Sequence, residues 1–358
     1  MAILYDYLEV VGGAESFTID LANKTKQTII VAGVNETIIE KLPKIENNLT
    51  QLSTLTSIPL WKSIKAMHAF RFINENHLQD PVNLFSGNNA PLAVYNSSAQ
   101  KNYYYCHTPP RFVYDLYDYY QKNLPWYQKK VVDVFAKYVK SQYEPAIHQM
   151  DKIFCNSKNV QSRIAKFLDC EAEVIYPPIA TQKYFNKPSN GFYLSTARLE
   201  DYKRVEIIVD AFLQMPDKHL VVVSGGTLLE VLRKKTAEAI NINIVGWVTE
   251  DVLLNYIAEC IATIYLPIDE DFGMSPVESM AAGKPVIGVN DGGLKETILH
   301  QQTGWLCPAS LTIEHIIDAV NFMSVNTANS MKKACFIQAS SFSSDIFYQR
   351  MNEIFLNR

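Results

Sequence analysis

The chain lacks any close pair of cysteines. Its six cysteines, Cys106, Cys155, Cys170, Cys260, Cys307 and Cys335, are scattered, with no CxxC and no Cys/His cluster. This argues against a structural zinc site or a disulfide framework and fits a reducing cytosol. No apolar run reaches membrane-spanning length. The opening Met1-Ala2-Ile3-Leu4-Tyr5-Asp6-Tyr7 lacks the basic and apolar regions of a signal peptide. The expected location is therefore the cytoplasm, with contact at the inner face of the cytoplasmic membrane left open. Charge excess is also missing: 33 Lys and Arg stand against 37 Asp and Glu, so no global signature of nucleic-acid binding exists. There is no repeat of solenoid period and no low-complexity tract. At 358 residues the chain is too long for one ordinary domain and about right for two.

What is present is an alternation of short β-rich apolar runs with longer helical patterns. That pattern predicts an α/β fold of repeated βαβ units with parallel sheets. In the first half the strand candidates are Thr28–Ala32, Val82–Phe85, Tyr103–Cys106, Lys152–Cys155 and Glu173–Tyr176. In the second half they are Phe192–Thr196, Leu220–Ser224, Asn243–Gly246, Ala262–Leu266 and Pro285–Val289, a more regular series. Between them Tyr176-Pro177-Pro178-Ile179 opens a polar stretch that reads as a linker, because consecutive prolines stop regular structure. The expected domains are 1–180 and 181–340. Residues 341–358 form a terminal amphipathic helix with Phe342, Ile346, Met351, Ile354 and Phe355 near one face.

The segment 112–144 stands apart. Tyr114, Tyr117, Tyr119, Tyr120, Trp126, Tyr127 and Tyr138 alternate with Lys122, Lys129, Lys130, Lys137 and Lys140. Amphipathic rings with lysines suit a membrane interface or a glycan surface. A helical pair whose aromatics pack on their own domain fits the same residues.

The most informative stretch is Glu270-Asp271-Phe272-Gly273-Met274-Ser275-Pro276-Val277-Glu278, set between two strand candidates. Locally, Ser275 reads as an N-cap, Pro276 as the first helical residue and Glu278 as the return arm of a capping box, with Gly283 as the stop. Glu270 and Gly273 are left over by that reading. They lie at the carboxyl end of a strand, where open α/β sheets bind ligands, beside helix N–H groups that favour an anion such as a diphosphate. Other strand ends carry Gly12-Gly13, which let a backbone approach a phosphate, and Gly225-Gly226. Arg198 and Lys203 can neutralise a diphosphate as a fork and a point charge; Arg204 fits a solvated basic patch. His107 follows an aromatic strand and can face a cleft. The triplet Asp269-Glu270-Asp271 could be mistaken for an Asp-x-Asp metal site, but the basic pair supplies the compensation, so no metal is expected.

These motifs resemble, in order, those of glycosyltransferase family 4 (group 1): the Gly12-Gly13-Ala14-Glu15 turn, the histidine motif Tyr105–Arg111, Asn156-Ser157, Val174–Pro178, the Arg198–Arg204 phosphate motif, the Glu-x7-Glu signature from Glu270 to Glu278, and Asp291-Gly292-Gly293 with Glu296-Thr297. The resemblance covers nearly the whole chain. It implies the GT-B fold, with two Rossmann-like domains whose parallel sheets face a central cleft, and a C-terminal helix that crosses back to the first domain. It implies a retaining hexosyl transfer from a nucleotide sugar. The catalytic residues would be Glu270, His107, Arg198 and Lys203. The donor would be held by Gly12, Gly13, Gly225, Gly273, Met274, Ser275 and Glu278, with no cofactor beyond the donor substrate. The forms of the phosphate and histidine motifs resemble bacterial surface-polysaccharide enzymes of the lipopolysaccharide and O-antigen type, many of them mannosyltransferases. GDP-mannose is the expected donor and a UDP-hexose the alternative, with a glycan or lipid-linked glycan as acceptor. A sugar-nucleotide epimerase and a catalytically silent binding subunit remain as other readings.

Overall fold

The structure is a computed structural model that describes residues 1–10, 12–40, 42–122 and 124–356. It divides into two compact units, Met1–Ile175 and one that starts at Tyr176.

The first unit holds a seven-stranded parallel sheet of order β3-β2-β1-β4-β5-β6-β7. Its strands are β1 (Ala2–Leu8), β2 (Thr28–Val34), β3 (Leu49–Gln51), β4 (Val82–Ser86), β5 (Lys101–Cys106), β6 (Lys152–Cys155) and β7 (Glu173–Val174). The second unit holds a six-stranded parallel sheet of order β10-β9-β8-β11-β12-β13. Its strands are β8 (Phe192–Ser195), β9 (His219–Val222), β10 (Ile242–Ile244), β11 (Thr263–Tyr265), β12 (Val286–Val289) and β13 (Gly304–Cys307). Each sheet is wound outward in both directions from a central pair, β1 and β4 in one unit and β8 and β11 in the other. Each is therefore Rossmann-like, with a crevice at the carboxyl ends of that pair.

Helices cover both faces of each sheet, so central strands are apolar throughout. Leu4, Ile30, Phe85, Tyr104 and Cys155 meet Phe70, Val139 and Tyr143 in one core. Val222, Ile264 and Ile287 meet Val209, Phe212, Val277 and Val320 in the other.

All ten expected strand regions carry strands, with ends moved by a few residues. Three strands had not been expected: β1, β3 and β13. β1 is instructive. Asp6 breaks its apolar run, yet its carboxylate accepts hydrogen bonds from the backbone N–H of Asn88, Asn89 and Ala90 at 2.7–2.8 Å. Burial raises the Asp6 pKa, and those N–H donors pull it back. The carboxylate thus ties β1 to the loop after β4.

The terminal helix runs Ser344–Leu356; residues 357 and 358 lie outside the described residues. Phe342 and Met351 are buried as its pattern implies, but Ile346 faces solvent and Phe347 is buried in its place. The helix start corrects the assumed phase.

Candidate functional site

In the second unit the expected residues gather where β8 and β11 diverge. The chain leaving β8 turns through Arg198 to Lys203. The chain leaving β11 turns through Glu270 to the helix Met274–Ala281. Lys203 Nζ donates to Glu270 Oε2 at 2.7 Å and to the Tyr265 hydroxyl at 3.0 Å. Lys203 is buried, only 8% exposed. Burial pulls its pKa down, and Tyr265 and Glu270 pull harder the other way, leaving it above the usual lysine value. The same burial pushes the Tyr265 hydroxyl well up, so it stays protonated. Arg198 is exposed and its Nη2 donates to the Tyr202 hydroxyl at 2.9 Å. Arg204 is not the solvated residue expected of it. It is half-buried in a left-handed turn, and its Nε is buried with no partner among the described residues.

The acidic loop is shaped by backbone packing. Gly293 N–H donates to the Glu270 carbonyl at 2.7 Å, and Asp269 N–H donates to Asp291 at 3.0 Å. The helix that follows does not start as expected. Gly273 is its N-cap, with φ +91°, and no side chain caps it. Met274 and Ser275 are its first two residues, both half-buried, so Ser275 and Glu278 form no capping box. The helix begins two residues early because Gly273 adopts the left-handed turn that other residues resist. It leaves the first N–H groups without side-chain partners, a suitable place for an anion. Glu278 instead lies near Tyr184, and burial raises its pKa. Gly283, at φ +68°, ends the helix as expected.

The third glycine loop leaves β9. The Gly225 carbonyl accepts from Leu199 N–H at 3.0 Å, which sets it beside Arg198.

In the first unit Gly12 is the N-cap of the helix Gly13–Thr25, and Gly13 is its exposed first residue. A Cβ on Gly12 would lie 2.5 Å from the Glu15 carboxylate. That carboxylate is buried and accepts from the Tyr5 hydroxyl at 3.3 Å. His107 follows β5 and packs edge-on against Phe17 and Tyr105, at 5.0 and 5.1 Å between ring centres. Burial holds its pKa down at about 4, so the imidazole is neutral at pH 7. Its Nε2 is buried and has no hydrogen-bond partner among the described residues. A buried polar atom left unpaired in this way costs stability and calls for a ligand. The loop beyond it is fixed by Asp115, which pairs with Arg111 at 3.0 Å and Arg163 at 3.4 Å.

Sequence reasoning missed Tyr265 and Tyr184. Tyr265 sits in an apolar strand and Tyr184 in a polar linker, and nothing in the spacing marks a hydroxyl that will meet Lys203 or Glu278.

The segment 112–144 divides. Phe112 stacks on Phe135 and Tyr114 on Phe167, at 5.8 and 5.0 Å, so part of it packs on its own unit. The helix Trp126–Ile147 also carries Tyr127, Val131, Val134 and Tyr138 exposed on one outward stripe, beside an exposed Trp126.

Residues 179–335 match the family described as glycosyl transferases group 1. The chain is similar to alpha-1,3/1,6-mannosyltransferase ALG2 of Dictyostelium discoideum, 27% identical over 230 residues, which are 51% of this chain and 54% of that protein. It spans about half the length of this and of other curated relatives it matches. Among solved structures it resembles Anabaena HepE in complex with UDP and glucose, with a TM-score of 0.74, 16% identity and 99% of each chain covered. It resembles equally WaaG, a glycosyltransferase involved in lipopolysaccharide biosynthesis, with a TM-score of 0.74, 12% identity and 100% of each chain covered. At such identities the structural likeness establishes the fold, which is GT-B.

Proposed function

We propose that this chain is a group 1 glycosyl transferase that moves a hexose from a nucleotide sugar to a glycan acceptor with retention of anomeric configuration. The observation that carries the reading is the Lys203–Glu270 pair at the divergence of β8 and β11, with exposed Arg198 and the uncapped start of the helix Met274–Ala281 beside it. A diphosphate placed there meets two cations and free N–H groups. As the sugar–phosphate bond breaks, negative charge builds on the leaving diphosphate and positive charge on the sugar. Fixed positive groups that need not reorganise stabilise the first. Glu270 orients and polarises the sugar rather than attacking it, unlike the nucleophile of a retaining glycosidase. Glu278, with Tyr184, takes ribose hydroxyls. In the first unit, taken by itself, the neutral His107 offers its unpaired Nε2 to a ligand hydroxyl, and Gly12 and Gly13 carry no side chain at the start of their helix.

The donor is GDP-mannose in this reading, supported by the mannosyltransferase relative; a UDP-hexose is the alternative, supported by the likeness to HepE. Lys203 and Arg198 supply the positive charge, so no metal is required. The acceptor is a lipid-linked glycan of a surface polysaccharide, reached at the inner face of the cytoplasmic membrane. The exposed stripe of the helix Trp126–Ile147 with its lysines supports membrane contact.

The test is a thermal-shift panel of nucleotide sugars, since a ligand that binds only the native state raises its stability. It is followed by a transfer assay with the stabilising donor. Stabilisation by GDP-mannose and appearance of a mannosylated glycan are expected. Release of an altered nucleotide sugar without any acceptor would instead identify an epimerase, and binding without turnover a silent subunit.

A further inference from the structure

We propose that Asp291 is a positioning residue for the Lys203–Glu270 pair, its carboxylate fixing the acidic loop against the lysine turn before any donor arrives. The inference rests on the donor site proposed above and adds the residue that keeps its two charged groups in place.

The strands β8, β11 and β12 are neighbours in the second sheet. The turn after β8 carries Lys203 and Arg204, the turn after β11 carries Asp269 and Glu270, and the turn after β12 carries Asp291, Gly292 and Gly293. The first two turns are bound side by side. Ile268 N–H donates to the Tyr202 carbonyl at 2.8 Å, and Lys203 Nζ then meets Glu270 Oε2 at 2.7 Å. The third turn grips the second. Asp291 Oδ2 accepts from Asp269 N–H at 3.0 Å, and Gly293 N–H donates to the Glu270 carbonyl at 2.7 Å. The backbone of Glu270 is therefore pinned on both sides by the turn after β12. The approach leaves no room for a side chain: a Cβ on Gly292 would lie 2.4 Å from the Glu270 carbonyl oxygen.

The residues that flank the ion pair are both held in an unfavourable backbone conformation. Asp269, just before Glu270, has φ +45°, and Arg204, just after Lys203, has φ +54°. Left-handed turns are costly for residues with a side chain and persist only where the surroundings over-determine them. Asp291 acts on both. Its hydrogen bond holds Asp269, and its charge acts on the half-buried Arg204 guanidinium. Burial lowers the Arg204 pKa, and Asp291 offsets part of that effect. Asp291 also accepts from Gly292 N–H at 2.9 Å, a local contact that aspartates in turns commonly make. The bond to Asp269 spans 22 residues and is not local.

A pair fixed in advance stabilises the leaving diphosphate without reorganising. Loosening its support costs the transition state more than the bound donor, so kcat falls while KM stays.

The experiment measures release of nucleoside diphosphate from GDP-mannose and UDP-glucose, with melting temperatures. The proteins are wild type, Asp291→Ala, Asp291→Asn, Lys203→Met and the two double variants that combine Lys203→Met with each change at Asp291. Asp291→Ala should lower kcat by about 10²-fold, the scale of a misplacement of about 1 Å, with KM barely changed. Asp291→Asn, which keeps one acceptor oxygen and loses the charge, should fall between Ala and wild type. Once Lys203 is Met, either change at Asp291 should add little, because residues that act as a unit are not additive. If Asp291→Ala melts too low to assay, the Asn cycle gives the same reading. Additive losses overturn the inference and mark Asp291 as a support of the fold alone. Unchanged kcat in Asp291→Ala overturns it too, whether or not KM rises. Wild-type kcat in Lys203→Met, or wild-type protein that releases nucleoside diphosphate from neither donor, overturns the donor site itself and this inference with it.

Discussion

Lys203 and Glu270, 67 residues apart in sequence, are joined by a 2.7 Å ion pair across the divergence of β8 and β11. Both side chains are largely withdrawn from solvent, at 10% and 19% exposure. Removing one partner of such a pair leaves the other uncompensated, at a cost of about 3–5 kcal/mol when burial is complete. Lys203→Ala should therefore lower both the melting temperature and kcat/KM, the latter by about 10²-fold or more. Arg198→Ala, at an exposed position, should lower kcat/KM similarly while the melting temperature barely moves. The raised Lys203 pKa also sets a sign. Its stabilisation is complete below the unfolded lysine value near 10.4 and is lost as pH rises through the higher folded value. Alkaline melting curves of wild type and Lys203→Met should converge. Wild-type turnover in both Ala variants would remove the pair from the site.

Tyr265→Phe deletes one acceptor of the Lys203 ammonium without emptying the core. A net loss of about 1.5–3 kcal/mol is typical for a hydrogen bond to a charged group. Since Lys203 is proposed to act on the leaving diphosphate, kcat should fall more than KM rises. A drop in melting temperature with unchanged kcat would make the hydroxyl purely structural.

Glu278 separates stability from binding. Its folded pKa is raised by burial, so its contribution favours the fold below the unfolded pKa and is lost as pH rises through the folded value. Glu278→Gln should be at least as stable as wild type at pH 8 while binding donor more weakly. Parallel melting curves and donor titrations at pH 5 and pH 8 decide it, and a destabilised Gln variant with normal donor affinity would refute the ribose role.

His107 titrates the other way. Its pKa is depressed to about 4, so its stabilisation is present above the unfolded value near 6.5 and lost as pH falls from there toward 4. That loss is on the order of 3 kcal/mol. His107→Gln should flatten the acid limb of the stability curve and lower kcat/KM. An unchanged acid limb would show that the ring is not held neutral by burial.

Two further outcomes concern partners. Turnover should survive exhaustive chelation, and loss with rescue by manganese would reopen the acidic loop as a metal site. The protein should float with anionic vesicles at low salt and not with neutral ones. Charge reversal at Lys129 and Lys130 should abolish flotation without affecting donor binding, because lysines near an anionic surface contribute about 1 kcal/mol each and salt screens them. Protein that stays unbound on anionic vesicles would return the segment to a packed helical pair.

By itself the sequence determined the alternation of strands and helices, and with it two parallel sheets. Period and apolar content are local properties, and parallel strands buried on both faces cannot hide them. It also determined that Arg198, Gly225, Glu270 and His107 stand at carboxyl strand ends, because each directly follows a legible strand. Only the tertiary structure decided which of these residues meet. The strand order placed β8 beside β11 and so brought Lys203 to Glu270, and it turned Tyr265 from a core residue into a ligand of the lysine. The start of the helix at Gly273 overrode the Ser275 capping reading, since a local pattern cannot register that a left-handed glycine packs against Leu294. β1 escaped notice for the same reason. The partners that make half-buried Asp6 tolerable lie in the loop after β4, about eighty residues further along the chain, where only folding brings them within hydrogen-bond reach.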